Sequence, residues 1–286
     1  MFAVSPGKAA SRLWLAILIC GLLVSVSPDA RAQSPLVAAV ERGDAGDVRR
    51  LLESGVDADH KGASGRTALW VATEAGRDAI VRQLLTAGAD PRQSAYEGGM
   101  QPIHMAIQRG HAAILWLLVD AGAEIHAAYG DEMGGRHTTL TDAIQNGRTE
   151  IALELIRRGA DAKQRHCPGE SGCHSLLVQA ARTGNLRLVR ALLQAGNDVN
   201  PPDETLEGDG SVRTLAPLIA AALSGRAEVV AALLESGAEV GTRNNQGCSA
   251  LDYATLFKHA EAAAILRQAG ASADKTRCRE YAMQGQ

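Results

Sequence analysis

Two cysteines and two histidines crowd into one short segment, which is the densest set of metal-ligand side chains in the chain. The segment reads His166-Cys167-Pro168-Gly169-Glu170-Ser171-Gly172-Cys173-His174. Two thiolates and two imidazoles can form a tetrahedral zinc site. However, the cysteines are further apart than in a zinc knuckle, and each histidine adjoins a cysteine, so adjacent side chains would have to converge on one ion. A local disulfide between Cys167 and Cys173 is the favoured interpretation, with zinc binding and free thiols as alternatives.

A second pair of cysteines lies towards the C-terminus. Cys248 stands at the start of a predicted helix, and Cys278 lies beyond the last one. A disulfide between them would hold the C-terminal tail over the end of the fold, where fraying is easiest. Two unpaired thiols are the alternative. The fifth cysteine, Cys20, belongs to the N-terminal segment discussed below.

Catalytic motifs are weak in this sequence. Ser272-Ala273-Asp274-Lys275 fits the Ser-x-x-Lys pattern of penicillin-binding enzymes, but it lies in a polar tail without the companion motifs. The sequence contains no Gly-x-Ser-x-Gly, no phosphate-binding glycine loop and no His-Glu-x-x-His. Acidic residues such as Asp57 and Asp90 recur at unit ends, as turn formers do. We therefore expect no catalytic residues, no resident metal and no cofactor.

A regular repeat must position whatever site the chain has. One glycine recurs at Gly55, Gly88, Gly122, Gly159, Gly196, Gly237 and Gly270. A second precedes it by twelve residues, at Gly43, Gly76, Gly110, Gly147, Gly184 and Gly225, with Lys258 in the last unit. An apolar residue lies seven positions before this second glycine, and an alanine lies three positions after the apolar residue. The apolar residue and the alanine share one helical face, and the second glycine suits the end of that helix. The spacing predicts two short helices in each of seven units, which only stacking can bury.

These units resemble the ankyrin repeat. Gln101-Pro102-Ile103-His104-Met105-Ala106 and Ala216-Pro217-Leu218-Ile219-Ala220-Ala221 are similar to the Thr-Pro-Leu-His-x-Ala signature of that family. The resemblance implies an all-α solenoid of about seven helix pairs with β-hairpin-type connections, used for binding protein. Only one unit keeps the histidine, His104, so we expect sparse hydrogen bonding between units. The expected units are 33–60, 61–93, 94–128, 129–164, 165–201, 202–243 and 244–271, followed by a loosely held tail, 272–286.

The first 32 residues resemble a secretion signal. Lys8 and Arg12 precede an apolar run from Leu13 to Val26, and Ala30-Arg31-Ala32 supplies a small-x-small cleavage pattern. Cleavage between Ala32 and Gln33 would place the protein in the periplasm or outside the cell, without a membrane span. An uncleaved N-terminal anchor is the alternative. Export also favours disulfides, because extracytoplasmic compartments are oxidising.

Composition narrows the class of partner. The formal net charge is −3, and lysines and arginines are scattered rather than clustered. Nucleic-acid binding needs a basic face, so it is not expected. Hydrophobic residues make up 46% of the chain but aromatic residues only 3%, which favours closely packed short helices. We expect a monomer that binds another protein.

Three connections are longer than the ankyrin period requires, at about 127–137, 164–174 and 201–214. In ankyrin-like stacks these connections are hairpins beside the groove, so we call them the first, second and third fingers. They are either a binding edge or tolerated surface variation. Their candidate contact residues are Tyr129, Met133, Arg136, Glu204 and Asp209. Tyr96, in the connection before the first finger, is a further candidate.

The resemblance also implies which helix positions face the groove. They are the fifth and sixth residues after the recurring apolar residue, which we call the groove positions. The candidate contact residues there are Glu41, Arg42, Glu74, Gln108, Arg109, Gln145, Asn146, Arg182 and Thr183; Ala75, Leu223 and Ser224 complete the row. A row of long polar side chains is typical of a shallow recognition groove, and equally of ordinary solvated surface.

The expected function is a non-enzymatic scaffold or adaptor outside the cytoplasm. One alternative is a periplasmic inhibitor or immunity-type binder of a single target. A second alternative is a metal- or redox-active thiol protein that uses Cys167 and Cys173.

Overall fold

A computed structural model describes residues 34–95, 99–130, 135–166, 172–201, 204–206, 212–272 and 278. Within these ranges fourteen α-helices form seven consecutive pairs. The pairs are α1 (Pro35–Arg42) and α2 (Ala45–Glu53), α3 (Ala68–Glu74) and α4 (Asp78–Thr86), α5 (Pro102–Arg109) and α6 (Ala112–Asp120), α7 (Thr139–Gln145) and α8 (Thr149–Arg157), α9 (Leu176–Thr183) and α10 (Leu186–Gln194), α11 (Pro217–Leu223) and α12 (Ala227–Glu235), and α13 (Ala250–Leu256) and α14 (Ala260–Gln268). The predicted all-α solenoid of seven helix pairs is confirmed.

The helices pack in two layers. Each first helix contacts its own second helix and the first helix of the next unit, and most second helices contact the second helix of the next unit. The recurring apolar residues and alanines lie in this interior; Leu69, Ile103 and Leu140 have no exposed surface. Because helices of seven to nine residues are marginal in water, packing between units supplies their stability.

The three fingers contain short strands, as predicted. The first finger pairs β1 (Ala128–Gly130) with β2 (Arg136–Thr138), the second pairs β3 (Arg165–His166) with β4 (Gly172–Ser175), and the third pairs β5 (Glu204–Leu206) with β6 (Val212–Thr214), all antiparallel. The second and third fingers also pair with each other, Gly172 opposite Thr205 and Cys173 opposite Glu204. They therefore form one four-stranded sheet in the order β3-β4-β5-β6.

Hydrogen bonds between units are more numerous than the sequence predicts, which corrects that expectation. The residue after the helix-ending glycine reaches back to the first helix of the preceding unit. Arg77 donates to the carbonyl of Glu41 at 3.1 Å and Arg148 to that of Gln108 at 2.8 Å. These carbonyls lie in the last turn of a helix, where intrahelical partners run out and positive charge is favourable.

The same contact recurs towards the C-terminus. Arg226 Nε lies 3.4 Å from the carbonyl oxygen of Arg182, and His259 Nε2 lies 3.1 Å from that of Leu223. The seventh unit keeps the geometry without glycine, because Lys258 adopts a left-handed φ of 60°. Cationic and imidazole side chains thus link units where the family histidine is missing.

Candidate functional site

The groove positions lie at the C-terminal ends of the first helices. Exposed side chains there are Glu41, Arg42, Arg109, Gln145, Asn146, Arg182 and Thr183, whereas Glu74 and Gln108 are half-buried. Because each first helix contacts the next, these helix ends form a continuous row across the units. The predicted groove residues are therefore brought together along one face.

Ion pairs link side chains along the row in its N-terminal half. The Glu74 carboxylate accepts from Arg109 at 2.8 Å and from Arg66 at 2.9 Å, which joins the second and third units. Arg42 pairs with Asp47 at 2.8 Å. Such exposed pairs stabilise the fold by about 0–1 kcal/mol each. Their larger effect is to set the orientation and charge of the side chains on this face.

A buried polar cluster anchors the first finger to the row. His104 Nδ1 lies 3.0 Å from Asp142 Oδ2, and neither side chain has more than 1% of its surface exposed. The Tyr129 hydroxyl lies 3.4 Å from the other oxygen of Asp142 and accepts a 3.0 Å hydrogen bond from Gln108. The His137 ring stacks on that of Tyr129 at 5.0 Å. The cluster joins the third unit to the fourth.

The cluster continues to the second finger. His166, at the end of β3, is buried and hydrogen-bonds to Gln145 at the end of α7. The His137 and His166 ring centroids are 5.9 Å apart. A chain of polar and ring contacts therefore runs from α5 through both fingers, which explains how these long connections keep a defined position.

Tyr129 does not contribute contact surface, which corrects its predicted role. Only 9% of it is exposed, because its ring packs between His104 and His137 and its hydroxyl is hydrogen-bonded. Arg136, at the start of β2, is exposed as predicted for a contact residue. The candidates Tyr96, Met133 and Asp209 lie outside the described residues, and for Glu204 only the backbone, within β5, is described.

The structure describes three of the cysteines, all of them disulfide-bonded. The structure pairs Cys248 with Cys278 in a disulfide whose Cα atoms are 5.0 Å apart. Cys278 is 6% exposed and packs against the core, so the tail contains a buried anchor rather than being loosely held throughout. Cys173 is also disulfide-bonded, whereas Cys167 lies outside the described residues. Across the described ranges, no group of three or more histidine, cysteine or carboxylate side chains is placed to hold a metal.

Two features of the site were missed in the sequence. Asp142 immediately precedes the recurring alanine, Ala143, in a first helix, and a carboxylate in a helix that stacking buries was a signal for a partner such as His104. The row of groove positions also continues into the seventh unit as Leu256 and Phe257, both exposed. They are the fifth and sixth residues after Leu251, the recurring apolar residue of the seventh unit, so the repeat spacing identifies them.

Comparison with known proteins settles the family. A model of ankyrin repeats matches three stretches of the chain, residues 1–95, 80–166 and 172–277. The chain belongs to the ankyrin-repeat family. Ankyrin repeats are protein–protein interaction modules, and their fold is generally non-enzymatic. Among the described residues of this ankyrin-repeat protein, no helix has the length and apolarity to cross a membrane.

Similar proteins contain related repeats within longer chains. The inactive serine/threonine-protein kinase TEX14 of Bos taurus is 35% identical over 86 residues, 30% of this chain and 6% of that protein. The probable E3 ubiquitin-protein ligase XBOS32 of Oryza sativa subsp. japonica is 35% identical over 86 residues, 30% of this chain and 17% of that protein. The ankyrin-repeat chain thus matches only a small part of either relative.

Solved structures resemble most of the chain. The human ASB11 ankyrin repeat domain has a TM-score of 0.64 and 24% identity, covering 85% of this chain and all 100% of that one. The ankyrin repeat domain of Bcl-3, from the IkappaB protein family, has a TM-score of 0.61 and 27% identity, covering 82% and 99%. The first of these likenesses shows the shared fold alone.

Proposed function

We propose that this ankyrin-repeat protein is exported and acts outside the cytoplasm as a scaffold or adaptor that binds another protein along its groove positions and fingers. The continuous row of exposed first-helix ends supports this most strongly. A preorganised surface loses less entropy on binding than a mobile one. The contacts from Arg148 to Gln108 and from His104 to Asp142 hold the row and the first finger in a fixed arrangement.

The proposed export rests on the N-terminal segment. The basic start, the apolar run and Ala30-Arg31-Ala32 together support cleavage after Ala32. N-terminal sequencing of the protein recovered from the extracytoplasmic fraction should begin at Gln33. A full-length protein that stays with the membrane would contradict cleavage, and one found in the cytoplasm would contradict export.

A matched pair of variants tests the binding surface. Arg109→Ala with Arg182→Ala removes two exposed cations from the groove positions, and Arg82→Ala with Arg190→Ala removes two from second helices. Net charge changes equally in both proteins. Saturable capture of an exported partner should fall at least about tenfold, or 1.4 kcal/mol, for the groove variant only. Equal capture by both variants would remove the groove positions as the binding surface.

The third finger can be tested separately. Shortening residues 201–214 to the length of the connection between the sixth and seventh units removes the pairing of β5 with β4 and β6, but it should leave the helical stack folded, since loop closure depends weakly on length. Partner capture should fall if this finger binds. Full capture with unchanged helical circular dichroism would make the finger idle and leave the groove positions as the surface.

The number of partners discriminates between roles. A scaffold or adaptor should yield more than one saturable partner, whereas an inhibitor or immunity-type protein should yield a single stoichiometric one. The thiol alternative predicts that replacing Cys167 and Cys173 with serine abolishes function. The protein-binding proposal predicts that the same replacement leaves capture largely intact.

A further inference from the structure

The groove positions of the seventh unit differ in character from the rest of the row. Leu256 is 42% exposed and Phe257 51% exposed, and these are the exposed large hydrophobic side chains in the described part of the chain. They stand side by side at the end of α13. Exposed apolar side chains that are grouped, rather than scattered singly, are typical of interaction sites.

Ring contacts hold the Phe257 side chain in place. The Phe257 ring centroid lies 6.4 Å from that of Tyr253 and 6.3 Å from that of His259. His259 Nε2 in turn lies 3.1 Å from the carbonyl oxygen of Leu223, which occupies the corresponding groove position of the sixth unit. The half-buried Leu223 and the exposed Leu256 and Phe257 therefore occupy neighbouring groove positions on the two sides of the boundary between the last two units.

Three cations border this surface. Arg226 reaches the carbonyl of Arg182, the Arg182 guanidinium donates to Gln179 at 2.8 Å, and Lys258 is exposed beside Phe257. Among the residues that the structure describes, none of these three cations lies within 4.0 Å of a carboxylate. In the N-terminal half, by contrast, Arg66 and Arg109 both pair with Glu74. The cations that border this surface are therefore available to a negatively charged partner.

We propose that the C-terminal patch, formed by Leu223, Leu256, Phe257, Arg182, Arg226 and Lys258, binds a protein segment in which acidic side chains flank a large apolar one. This rests on the proposed protein-binding function and names the chemistry of its partner. The apolar side chain covers Leu256 and Phe257, and the acidic groups meet the unpaired cations. Oppositely charged surfaces speed association and select the partner.

Peptide selection on the whole mature chain tests the proposal without a known partner. The probe is a display library of random peptides, selected on residues 33–286 with the disulfides intact. Enriched peptides should combine Asp or Glu with Phe, Leu or Trp within a few positions. Leu256→Ser with Phe257→Ser should weaken their binding at least about tenfold, measured by fluorescence anisotropy. Because both side chains are exposed, the helical circular dichroism should be unchanged.

Charge variants give a second, independent readout. Arg182→Glu with Lys258→Glu should weaken binding of the same peptides, and more strongly at low ionic strength, where screening is least. The matched control is Arg82→Glu with Arg190→Glu, which makes the same change in net charge at two exposed arginines on second helices. It should leave binding unchanged.

Several results would overturn the proposal. Enrichment of basic peptides would exclude the C-terminal patch as the binding site. Peptide binding that survives both the serine and the glutamate variants would also exclude it. If such surviving binding is lost in the Arg109→Ala variant, the proposed function still stands. Enrichment of no peptide would count against the patch and the proposed function together. Patch-dependent self-association in sedimentation would make the occupant a second copy, and patch-dependent binding to anionic phospholipid vesicles would make it a membrane; either contradicts the proposal.

Discussion

Alanine at Gly110 should destabilise the protein more than alanine at Gly147, although both glycines end a first helix with positive φ. The values are +79° at Gly110 and +65° at Gly147. A Cβ at Gly110 would lie 2.9 Å from Cζ of Arg148, the arginine that donates to the Gln108 carbonyl. A Cβ at Gly147 would have no atom within 4 Å other than those of Gly147 and its two chain neighbours. The pair separates backbone strain from loss of the contact between units.

The magnitudes follow from these two terms. A non-glycine residue in the left-handed region costs about 1–2 kcal/mol, which both variants incur. Gly110→Ala must also displace the Arg148 guanidinium and its hydrogen bond, worth about 1 kcal/mol at a half-exposed position. We expect a loss of about 2–3 kcal/mol for Gly110→Ala and about 1–2 kcal/mol for Gly147→Ala.

Urea unfolding followed by far-ultraviolet circular dichroism measures both variants. Repeating Gly110→Ala in an Arg148→Ala background completes a double-mutant cycle, in which the extra cost should disappear. Equal losses for the two glycine variants in the wild-type background, or an unchanged cost when Arg148 is absent, would refute the role assigned to the arginine.

Three further predictions concern the core, the polar cluster and pH. Leu192→Ala, at a fully buried position, should cost about 2–4 kcal/mol, whereas Arg267→Ala on the exposed side of α14 should stay within about 0.5 kcal/mol; equal destabilisation in urea would contradict the assigned register. Asp142→Ala should cost about 1–3 kcal/mol because it leaves the buried His104 ring without its hydrogen-bond partner, and a loss under about 0.5 kcal/mol would show that the cluster does not hold the first finger. Hydrogen bonds from Arg157 and then Arg158 lower the pKa of Glu154 from 4.5 to about 2, so its stabilising effect should be complete above pH 4.5 and lost as pH falls towards 2. An NMR titration of Glu154 near 4.5 would contradict these contacts.

The helical part of the fold was predictable because its determinants are local. Glycine spacing marks helix ends, since the chain must turn with positive φ there, and the structure has this geometry even at Lys258, where the glycine is replaced. The extra residues between units located the three long connections, and the resemblance to ankyrin repeats predicted that they are hairpins. The pairing of Gly172 with Thr205, which merges two fingers into one sheet, depends on how successive units are placed, and no local pattern encodes it.

The site was less predictable because burial there depends on distant residues. Tyr129 is an aromatic residue in a polar connection, which suggested an exposed contact, yet His104 and His137 enclose its ring. His104 and Asp142 are 38 residues apart in sequence, so their contact follows from stacking of the units. The repeat spacing located the groove positions of the first six units, but the row predicted from the sequence ended at Ser224 and omitted Leu256 and Phe257.

Photocrosslinking in intact cells tests the central claim, that the groove positions contact a protein partner, most directly. A crosslinking amino acid would replace Ala75, Asn146 or Thr183, all exposed groove positions, and Arg82 or Arg190 on second helices as controls. We predict that the same partner is crosslinked from the groove positions, in a fraction that contains the mature protein, and not from the controls. A partner crosslinked from the second helices alone would contradict the claim.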